Sequence, residues 1–261
     1  MKTAILIGGW HASGVTTLTG ETHSRDHTER LLRYFGVNLQ TKNGCISMEG
    51  GQKLVAQKVQ VPGDPSTAAF WLAAAVLVPG GKIEIQNVSL NSTRTGFIKV
   101  LERMKAKVST QVQTTDPEPL GVVSALHSQL TGTLIEPDEI PELIDELPLL
   151  AVLATQAHGV TEVKGAAELR VKESDRLEAL ATNLKAMGAN LELRSDGFRI
   201  VGPQKLKGAR LDSFDDHRIA MSFSIAGLIA DGETQIENPD CVGISYPEFF
   251  STLDLLTQKQ N

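Results

Sequence analysis

The chain has 261 residues, 41% of them hydrophobic, and carries a formal net charge of −6 at pH 7. This length is sufficient for one large domain or for two smaller domains with separate cores. The acidic balance and the absence of a long basic block in the sequence give no electrostatic support to a nucleic-acid partner.

The cysteines and apolar runs do not indicate a zinc-binding, secreted or membrane-spanning protein. Cys45 and Cys241 are far apart and the sequence has no Cys-x-x-Cys, so we expect two ordinary thiols. The apolar run at positions 4–7 is shorter than the core of a secretory signal. The sequence also lacks the run of about 18 apolar residues that a membrane helix needs. We therefore expect a cytoplasmic protein.

The N-terminal stretch "MKTAILIGGWHASGVTT" contains a glycine spacing that needs interpretation. Gly9 and Gly14 are spaced as in a phosphate-binding P-loop, but Val15 stands where that loop requires lysine. The pattern predicts a helix followed by a strand, whereas a P-loop joins a strand to a following helix. We interpret the match as accidental.

Four segments of the chain resemble one another at intervals of roughly seventy residues. Each has the pattern of an Ala-rich buried helix that ends at glycine and is followed by a short alternating strand. The segments are "AILIGGWHASGVTTLTG", "AFWLAAAVLVPGGKIEIQNVSL", "LAVLATQAHGVTEVKGA" and "MSFSIAGLIADGETQIENPD". Gly14, Gly81, Gly159 and Gly232 are predicted to end these helices, because glycine adopts left-handed backbone angles at little cost.

A second, amphipathic helix is predicted after each of these strands. The pattern is clear at Leu177, Leu180, Leu184 and Met187, which recur with helical spacing. The four helices are "DHTERLLRYFGV", "TGFIKVLERMKAKV", "DRLEALATNLKAMGANLEL" and "YPEFFSTLDLLTQ". Alternating residues on both sides of Ser195-Asp196-Gly197 predict a hairpin. The repeating unit is therefore helix, strand, helix, strand, strand.

We expect this array to be incomplete. The first unit starts at Met1 without a leading strand, and the fourth ends at Asn261 without its hairpin. Repeat arrays normally have dedicated terminal elements.

Four charged segments occupy equivalent positions close to the predicted helix starts. They are Ser24–His27, Ile144–Pro148, Arg170–Arg176 and Asp215–Arg218. Taken singly, each is explained by helix capping, because Ser and Asp are favoured at helix N-termini. If the units pack with pseudo-symmetry, however, these segments meet at one end of the layers. Their N–H groups, arginines and lysine then face one cleft that suits a ligand with several negative charges.

Two carboxylates lie among these cations and are candidates for proton transfer. They are Asp145 and Glu173. Glu146, the neighbour of Asp145, is a weaker candidate, since adjacent residues near a helix start point apart.

Five segments carry a more specific signal. They are "SRDHTERLLRYFGV", "VPGDPSTAAFWLAAA", "LIDELPLLAVLA", "LRVKESDRL" and "DDHRIAMSFSIAGL". In their order and spacing they closely resemble the later part of the EPSP synthase family, the 5-enolpyruvylshikimate-3-phosphate synthases of the shikimate pathway of aromatic amino acid biosynthesis. The pair "RVKESDR" and "DHRIAM" is highly specific, and the resemblance extends from end to end of the chain.

The resemblance implies an α+β fold of the inside-out α/β barrel type. The family has two lobes, each with three β-α-β-α-β-β units, and its active site lies between them. Residues 1–62 then correspond to the last unit of one lobe, and residues 63–261 to most of the other lobe without its N-terminal strand. The N-terminal part of the family chain, which supplies many substrate contacts, is expected to be missing.

The family transfers the enolpyruvyl group of phosphoenolpyruvate to the 5-hydroxyl of shikimate 3-phosphate and releases phosphate, with no metal or organic cofactor. The resemblance implies that Asp145 takes the hydroxyl proton. It implies that Glu173, with Lys172 beside it, serves the methylene carbon as the acid.

Five further residues match substrate-binding positions of the family. Arg176 and Arg218 match the cations that hold phosphoenolpyruvate, since the planar guanidinium pairs with carboxylate or phosphate oxygens. Ser24 and Arg25 match groups around shikimate 3-phosphate. His217 matches either a site residue or a support of its loop.

Several alternatives remain open from the sequence alone. The chain is expected to be inactive or weak by itself and to need a complementary N-terminal fragment. The sister enolpyruvyl transferase that acts on UDP-N-acetylglucosamine shares the fold, but its catalytic cysteine would lie in the lobe that is absent. A non-catalytic fragment that self-associates through its apolar first helix and a ligand-free repeat scaffold are the remaining possibilities.

Overall fold

A computed structural model describes residues 1–20 and 24–257, and four successive units follow one another along them. The first unit contains α1 (Lys2–His11), β1 (Val15–Leu18), α2 (His27–Tyr34), β2 (Leu39–Lys42) and β3 (Cys45–Glu49). The second contains α3 (Pro65–Leu77), β4 (Lys82–Ser89), α4 (Gly96–Arg103), β5 (Lys107–Thr114) and β6 (Leu120–Leu126).

The third and fourth units are interrupted by short 3-10 helices. The third contains β7 (Leu134–Ile135), α5 (Ile140–Leu143), a 3-10 turn (Ile144–Glu146), α6 (Leu147–Gln156), β8 (Gly159–Val163), a 3-10 helix (Ala167–Val171), α7 (Arg176–Ala186), β9 (Glu192–Arg194) and β10 (Gly197–Gly202). The fourth contains β11 (Arg210–Asp212), α8 (His217–Gly227), β12 (Gln235–Glu237), a 3-10 helix (Pro239–Ile244) and α9 (Phe249–Thr257). Gln258, the last residue predicted for the fourth amphipathic helix, lies outside the described residues.

Each unit has its own sheet. The strand orders are β1-β3-β2, β4-β6-β5, β7-β8-β10-β9 and β11-β12. The first two sheets are antiparallel, whereas β7 pairs with β8, and β11 with β12, in parallel. The predicted hairpin is present, because Gly197 lies opposite Arg194 in the β9–β10 pair.

A parallel pairing precedes the first long helix in units two to four. In the second unit this pairing is an isolated bridge between Gly63 and Val88. In the third and fourth units it is the β7–β8 pair and the β11–β12 pair. The unit is therefore β-α-β-α-β-β where it is complete, and this pattern agrees with the predicted α+β class.

The apolar first helices form the centre of the molecule. α3, α6 and α8 pack against one another in pairs, and α6 is buried along its whole length except at Gln156. A helix that is apolar on all sides must be surrounded by other elements, and the Ala-rich composition permits close approach. These three helices carry the core of residues 63–257.

Two separate hydrophobic clusters are present in the described residues. The larger one is formed by residues between 68 and 253. The smaller one belongs to the first unit and consists of Leu6, Leu32, Val37, Leu39, Ile46 and Met48, with Trp10 and Leu18 against it. Polar contacts, among them Arg25–Asp145 and His27–Glu118, join the first unit to the rest.

The prediction that four glycines end the first helices was wrong in detail, because the helices end earlier, with the C-cap residues Ala12, Val78, Ala157 and Leu228. Three of the four glycines do have the expected left-handed backbone angles in the turns that follow. Gly14, Gly159 and Gly232 have φ angles of +84°, +97° and +98°. In the second unit the prediction of Gly81 was wrong, because the left-handed residue is Gly80, with a φ of +76°. A larger residue does not fit at Gly81 for a different reason, because a Cβ there would lie 2.3 Å from the Ala75 carbonyl oxygen.

The P-loop interpretation is excluded by the local order of elements. Gly9 lies within α1, and Gly14 lies between that helix and β1. Within residues 1–20 and 24–257, none of the helices is long and apolar enough to cross a membrane.

Candidate active site

Three helix starts from different parts of the sequence meet at one place. α7 begins at Arg176, with Asp175 as its N-cap accepting from the Glu178 amide. α8 begins at His217, and its N-cap Asp216 accepts from the Arg218 amide. The 3-10 turn Ile144–Glu146 leads into α6. Capping is therefore present at α7 and α8, but it does not account for the side chains around these caps.

Arg176 is the centre of the ion-pair network. Its side chain is 1% exposed, and its Nε donates to Asp216 Oδ2 at 2.8 Å. Its Nη2 donates to Glu173 Oε2 at 2.6 Å, and its Nη1 lies 3.5 Å from Asp145 Oδ1. Nη1 has no hydrogen-bond acceptor among the described residues. One donor of a buried guanidinium therefore remains available next to Asp145.

Asp145 connects the first unit to the third. Its Oδ2 accepts from Arg25 Nη2 at 2.9 Å, across 120 positions of sequence. Burial would raise the pKa of this carboxyl group, but the charges of Arg218, Arg25 and Arg176 more than offset it. The pKa of Asp145 is therefore lowered, and the ionised form is favoured.

Asp216, the N-cap of α8, is a second carboxylate of the network for which the ionised form is favoured. Its side chain is 0% exposed. Burial would raise its pKa, but the hydrogen bond and charge of Arg176, the Arg218 amide and Ser174 lower it overall. Ser174 Oγ donates to Asp216 Oδ2 at 3.1 Å. Asp216 thus fixes the position of Arg176.

Glu146 is more deeply buried than the sequence suggested. Its side chain is 8% exposed and its Oε1 lies 3.9 Å from Arg218 Nη1. Burial raises the pKa of this carboxyl group, and the opposing effects of Ser66 and Arg218 do not reverse the shift. Asp145 and Glu146 are thus adjacent in sequence but have opposite preferences for the proton, a pattern that often separates acid and base roles.

His217 is buried beside Arg218 at the start of α8. Burial lowers the pKa of the imidazole, and the positive charge of Arg218 lowers it further. The charges of Asp216 and Glu173 oppose this shift only in part. The neutral form of His217 is therefore favoured, in which one ring nitrogen donates and the other accepts.

A cleft of about 450 Å³ lies between the first and third units, next to this network. Its lining comes from Met1, Lys2, Thr3, Ser24, Arg25, Ile140, Pro141, Ile144, Asp145, Glu168 and Lys172. Ser24 and Lys172 are thus brought to the same space as Asp145. In this structure Lys172 Nζ donates to Glu168 Oε1 at 2.6 Å.

All eight residues predicted for the site lie in or beside this cleft. Ser24, Arg25, Asp145 and Lys172 line it, and Arg176 and Glu173 continue the ion-pair network. His217 and Arg218 follow Asp216 at the start of α8. Their individual roles remain predictions.

Two further polar groups were missed from the sequence, one lining the cleft and one at the contact between the first and second units. Lys2 Nζ lies 2.5 Å from the buried Glu29 and donates to the Ser24 carbonyl at 3.2 Å. Asn91 is fully buried and donates to Asp26 Oδ1 at 2.7 Å and to Glu118 Oε2 at 3.0 Å. Burial of a polar side chain would have identified these residues. The sequence does not show this burial, because it depends on how the units pack together.

His27 joins the same contact, because its Nδ1 lies 2.7 Å from Glu118 Oε1. The first unit is thus held to the second by polar side chains. No group of three or more His, Cys, Asp or Glu side chains in the described ranges is arranged to hold a metal ion.

The fold is that of the enolpyruvyl transferases. The chain superposes with a TM-score of 0.79 on the enolpyruvyl transferase NikO from Streptomyces tendae, over 96% of this chain and 57% of that one. The sequence identity of 20% means that this match shows the fold alone. The match to EPSP synthase from Acinetobacter baumannii has a TM-score of 0.91 and 39% identity, over 97% and 59% of the two chains.

The sequence comparison is more specific. The family model for EPSP synthase (3-phosphoshikimate 1-carboxyvinyltransferase) matches residues 1–253, and the chain belongs to this family. It is 48% identical over 254 residues to the 3-phosphoshikimate 1-carboxyvinyltransferase of Bacillus cytotoxicus and 44% identical over 259 residues to that of Alkaliphilus oremlandii. These matches cover 97% and 99% of this chain but 60% and 61% of the relatives.

Proposed function

We propose that the chain forms the later part of an EPSP synthase. In this function it transfers the enolpyruvyl group of phosphoenolpyruvate to the 5-hydroxyl of shikimate 3-phosphate, with release of phosphate. The main support is the position of Asp145, which bridges Arg25 of the first unit and Arg176 of the third at the cleft between them. An ionised carboxylate between arginines suits a site that holds a polyanion and also removes a proton.

The proposed division into lobes is at residue 62. Residues 1–62 would be the last unit of one lobe, and residues 63–261 most of the other. The separate hydrophobic clusters support this division, because the first unit has its own small core. The active site then lies between lobes, where the cleft is found.

Phosphoenolpyruvate would be held by Arg176 and Arg218. The buried Nη1 of Arg176 has an unfilled donor position among the described residues. A guanidinium donor of this kind pairs well with a carboxylate or phosphate oxygen. Asp216 supports this role, since it fixes the opposite side of Arg176.

Shikimate 3-phosphate would lie nearer the first unit. Arg25 is half-exposed at the cleft, with 45% of its side chain accessible, and Ser24 is next to it. Both are placed to contact a phosphate or hydroxyl group without further burial of charge. His217, in its neutral form, is proposed to contribute a hydrogen bond on the Arg218 side of the site.

The two proton transfers would be divided between two carboxyl groups. Asp145 would take the proton of the attacking 5-hydroxyl, because its lowered pKa keeps it ionised. Glu173, with Lys172 beside it, would deliver a proton to the methylene carbon. Glu173 is 51% exposed, so solvent reaches it. General acid or base catalysis of this kind contributes about 10²–10⁴-fold in rate.

The chain spans about 60% of the length of the relatives that it matches. We infer that the rest of such a chain supplies further substrate contacts, as an N-terminal segment or a complementary fragment. Substrate positioning is lost without them, so the chain alone is expected to be inactive or weakly active. A cytoplasmic location remains a prediction.

A self-associating, non-catalytic fragment is the second candidate function. The observation that favours it is the exposed apolar side of α1, where Ile5 and Ile7 are 40% and 45% exposed. Exposed apolar surface of this kind promotes association. Concentration-dependent size in sedimentation would support this candidate, and a strictly monomeric chain would contradict it.

The proposed function is tested by titrating the chain with shikimate 3-phosphate and, separately, with UDP-N-acetylglucosamine in a calorimeter. We expect weak binding of shikimate 3-phosphate, loss of that binding in Arg25→Ala, and no binding of the UDP-sugar. Arg103→Ala is the matched control, because Arg103 forms an exposed ion pair with Glu139 elsewhere in the structure. Binding of the UDP-sugar alone would contradict the proposal.

A further inference from the structure

Glu146 is a buried carboxyl group for which the proposed reaction has no direct use. The Ser66 side chain lies close to it and, like the charge of Arg94, opposes the rise of its pKa. Arg94 Nη2 donates to Ser66 Oγ at 2.8 Å and to Asp64 Oδ1 at 2.6 Å. Because Arg94 occupies an acceptor position of the hydroxyl oxygen, the hydroxyl proton is free to be donated to Glu146.

The other side of Glu146 faces Arg218. Their Nη1 and Oε1 atoms are 3.9 Å apart, and the Arg218 side chain is 15% exposed. The backbone of Arg218 is fixed separately, since its amide donates to Asp216 Oδ1 at 2.9 Å. The Asp216 carboxylate thus holds the backbone amide of Arg218, and the Glu146 carboxyl group lies against its guanidinium.

We propose that Glu146 is a positioning residue that directs the Arg218 guanidinium towards the phosphoenolpyruvate position, with its own carboxyl group fixed by Ser66 and Arg94. This inference rests on the proposed function, in which Arg218 binds phosphoenolpyruvate. It connects the start of α3, through Glu146, to the start of α8.

The contact does not depend on a charge at Glu146. Burial raises the pKa of this carboxyl group, and the nearby charge of Asp145 adds to the shift. The protonated form is therefore favoured, and one carboxyl oxygen, Oε1, faces the guanidinium. Glutamine keeps this oxygen and the shape of the side chain, whereas alanine removes both.

The test compares Glu146→Gln and Glu146→Ala with the wild-type chain by two readouts. The first is the ¹⁵N NMR signal of the Arg218 Nε–H group, assigned by its loss in Arg218→Lys. The second is calorimetric affinity for phosphoenolpyruvate in the presence of shikimate 3-phosphate. Asn183→Ala is the control for lost buried polarity, because Asn183 is 1% exposed and contacts Asp212, away from the cleft.

We expect Glu146→Ala to shift and sharpen the Arg218 signal towards that of a mobile arginine and to weaken phosphoenolpyruvate binding at least tenfold. Glu146→Gln should retain the signal and bind within threefold of wild type. An unchanged Arg218 signal in Glu146→Ala, or equal losses in both variants, would overturn the proposal.

A different result would contradict the proposed role of Arg218 in binding phosphoenolpyruvate. If Arg218→Lys and Arg218→Ala bind phosphoenolpyruvate as well as wild type, then Arg218 is not a ligand-binding residue. In that case the positioning role is also overturned, whatever the NMR signal shows.

Discussion

Arg176 and Asp216 form a buried ion pair between the starts of α7 and α8, with Nε and Oδ2 2.8 Å apart and side chains 1% and 0% exposed. Forty positions separate the two residues in the sequence. The pair brings the third and fourth units together at the same point where Asp145 brings in the first. The cleft therefore depends on a contact that also stabilises the fold.

Loss of this pair is expected to destabilise the chain strongly. Arg176→Met leaves Asp216 buried without its partner, and breaking a buried pair in this way typically costs about 3–5 kcal/mol. Urea unfolding followed by circular dichroism measures the change. The control Arg103→Met removes a pair whose arginine side chain is 41% exposed, and it should cost less than loss of the buried pair. Equal losses of stability in the two variants would contradict a stabilising role of the buried Arg176–Asp216 pair.

Acid should destabilise the wild-type chain more than an Asp145→Asn variant. The pKa of Asp145 is lowered in the folded state, so its contribution to stability is present above the unfolded pKa of about 3.9. That contribution is lost as pH falls through the lower, folded value. Unfolding free energies measured from pH 6 to pH 3 should therefore fall less steeply in Asp145→Asn. Parallel curves would show that Asp145 is not held ionised.

Glu146 should show the opposite pH dependence. Its folded pKa is raised, so its contribution is fully present below the unfolded pKa of about 4.3 and is lost as pH rises through the folded value. Glu146→Gln cannot ionise, so its stability relative to wild type should increase with pH. Unfolding measured at pH 5, 7 and 9 tests this, and a constant difference would contradict the raised pKa.

The central helices should be far more sensitive to truncation than the exposed side of α1. Leu153 in α6 is 0% exposed, whereas Ile7 in α1 is 45% exposed. Leu153→Ala should lower the free energy of unfolding by about 2–5 kcal/mol. Ile7→Ala should change it by roughly 0.5 kcal/mol or less. Thermal or urea unfolding of the two variants provides the comparison, and a large effect of Ile7→Ala would mean that α1 is covered in solution.

Much of the fold was predictable because the signals are local. The Ala-rich segments from Ala69, Leu150 and Met221 are apolar on all sides, which is typical of central helices, and the structure contains them as α3, α6 and α8. The predicted order of the first two elements, a helix followed by a strand, also excluded a P-loop at the N-terminal glycines. The exchange of Gly80 for Gly81 shows the limit, since both follow the same helix and only the turn geometry distinguishes them.

The site was predictable as a group of charged segments but not as a network. Arg25 and Asp145 are 120 positions apart, and their contact depends on the packing of the first unit against the third. The same applies to Glu146 and Asn91, whose polarity in the sequence suggests exposure but which are 6% and 0% exposed. Burial of a polar group depends on its distant partners, so local pattern does not reveal it.

The most direct measurement is phosphate release from phosphoenolpyruvate and shikimate 3-phosphate. The chain is mixed with a polypeptide that supplies the part of the Bacillus cytotoxicus relative that the match does not cover. Release is expected from the mixture, at most weakly from either part alone, and at least 100-fold less with Asp145→Asn, in line with the loss of a general base. Activity of the mixture that is unaffected by Asp145→Asn, or no release from a mixture shown to associate, would contradict the account.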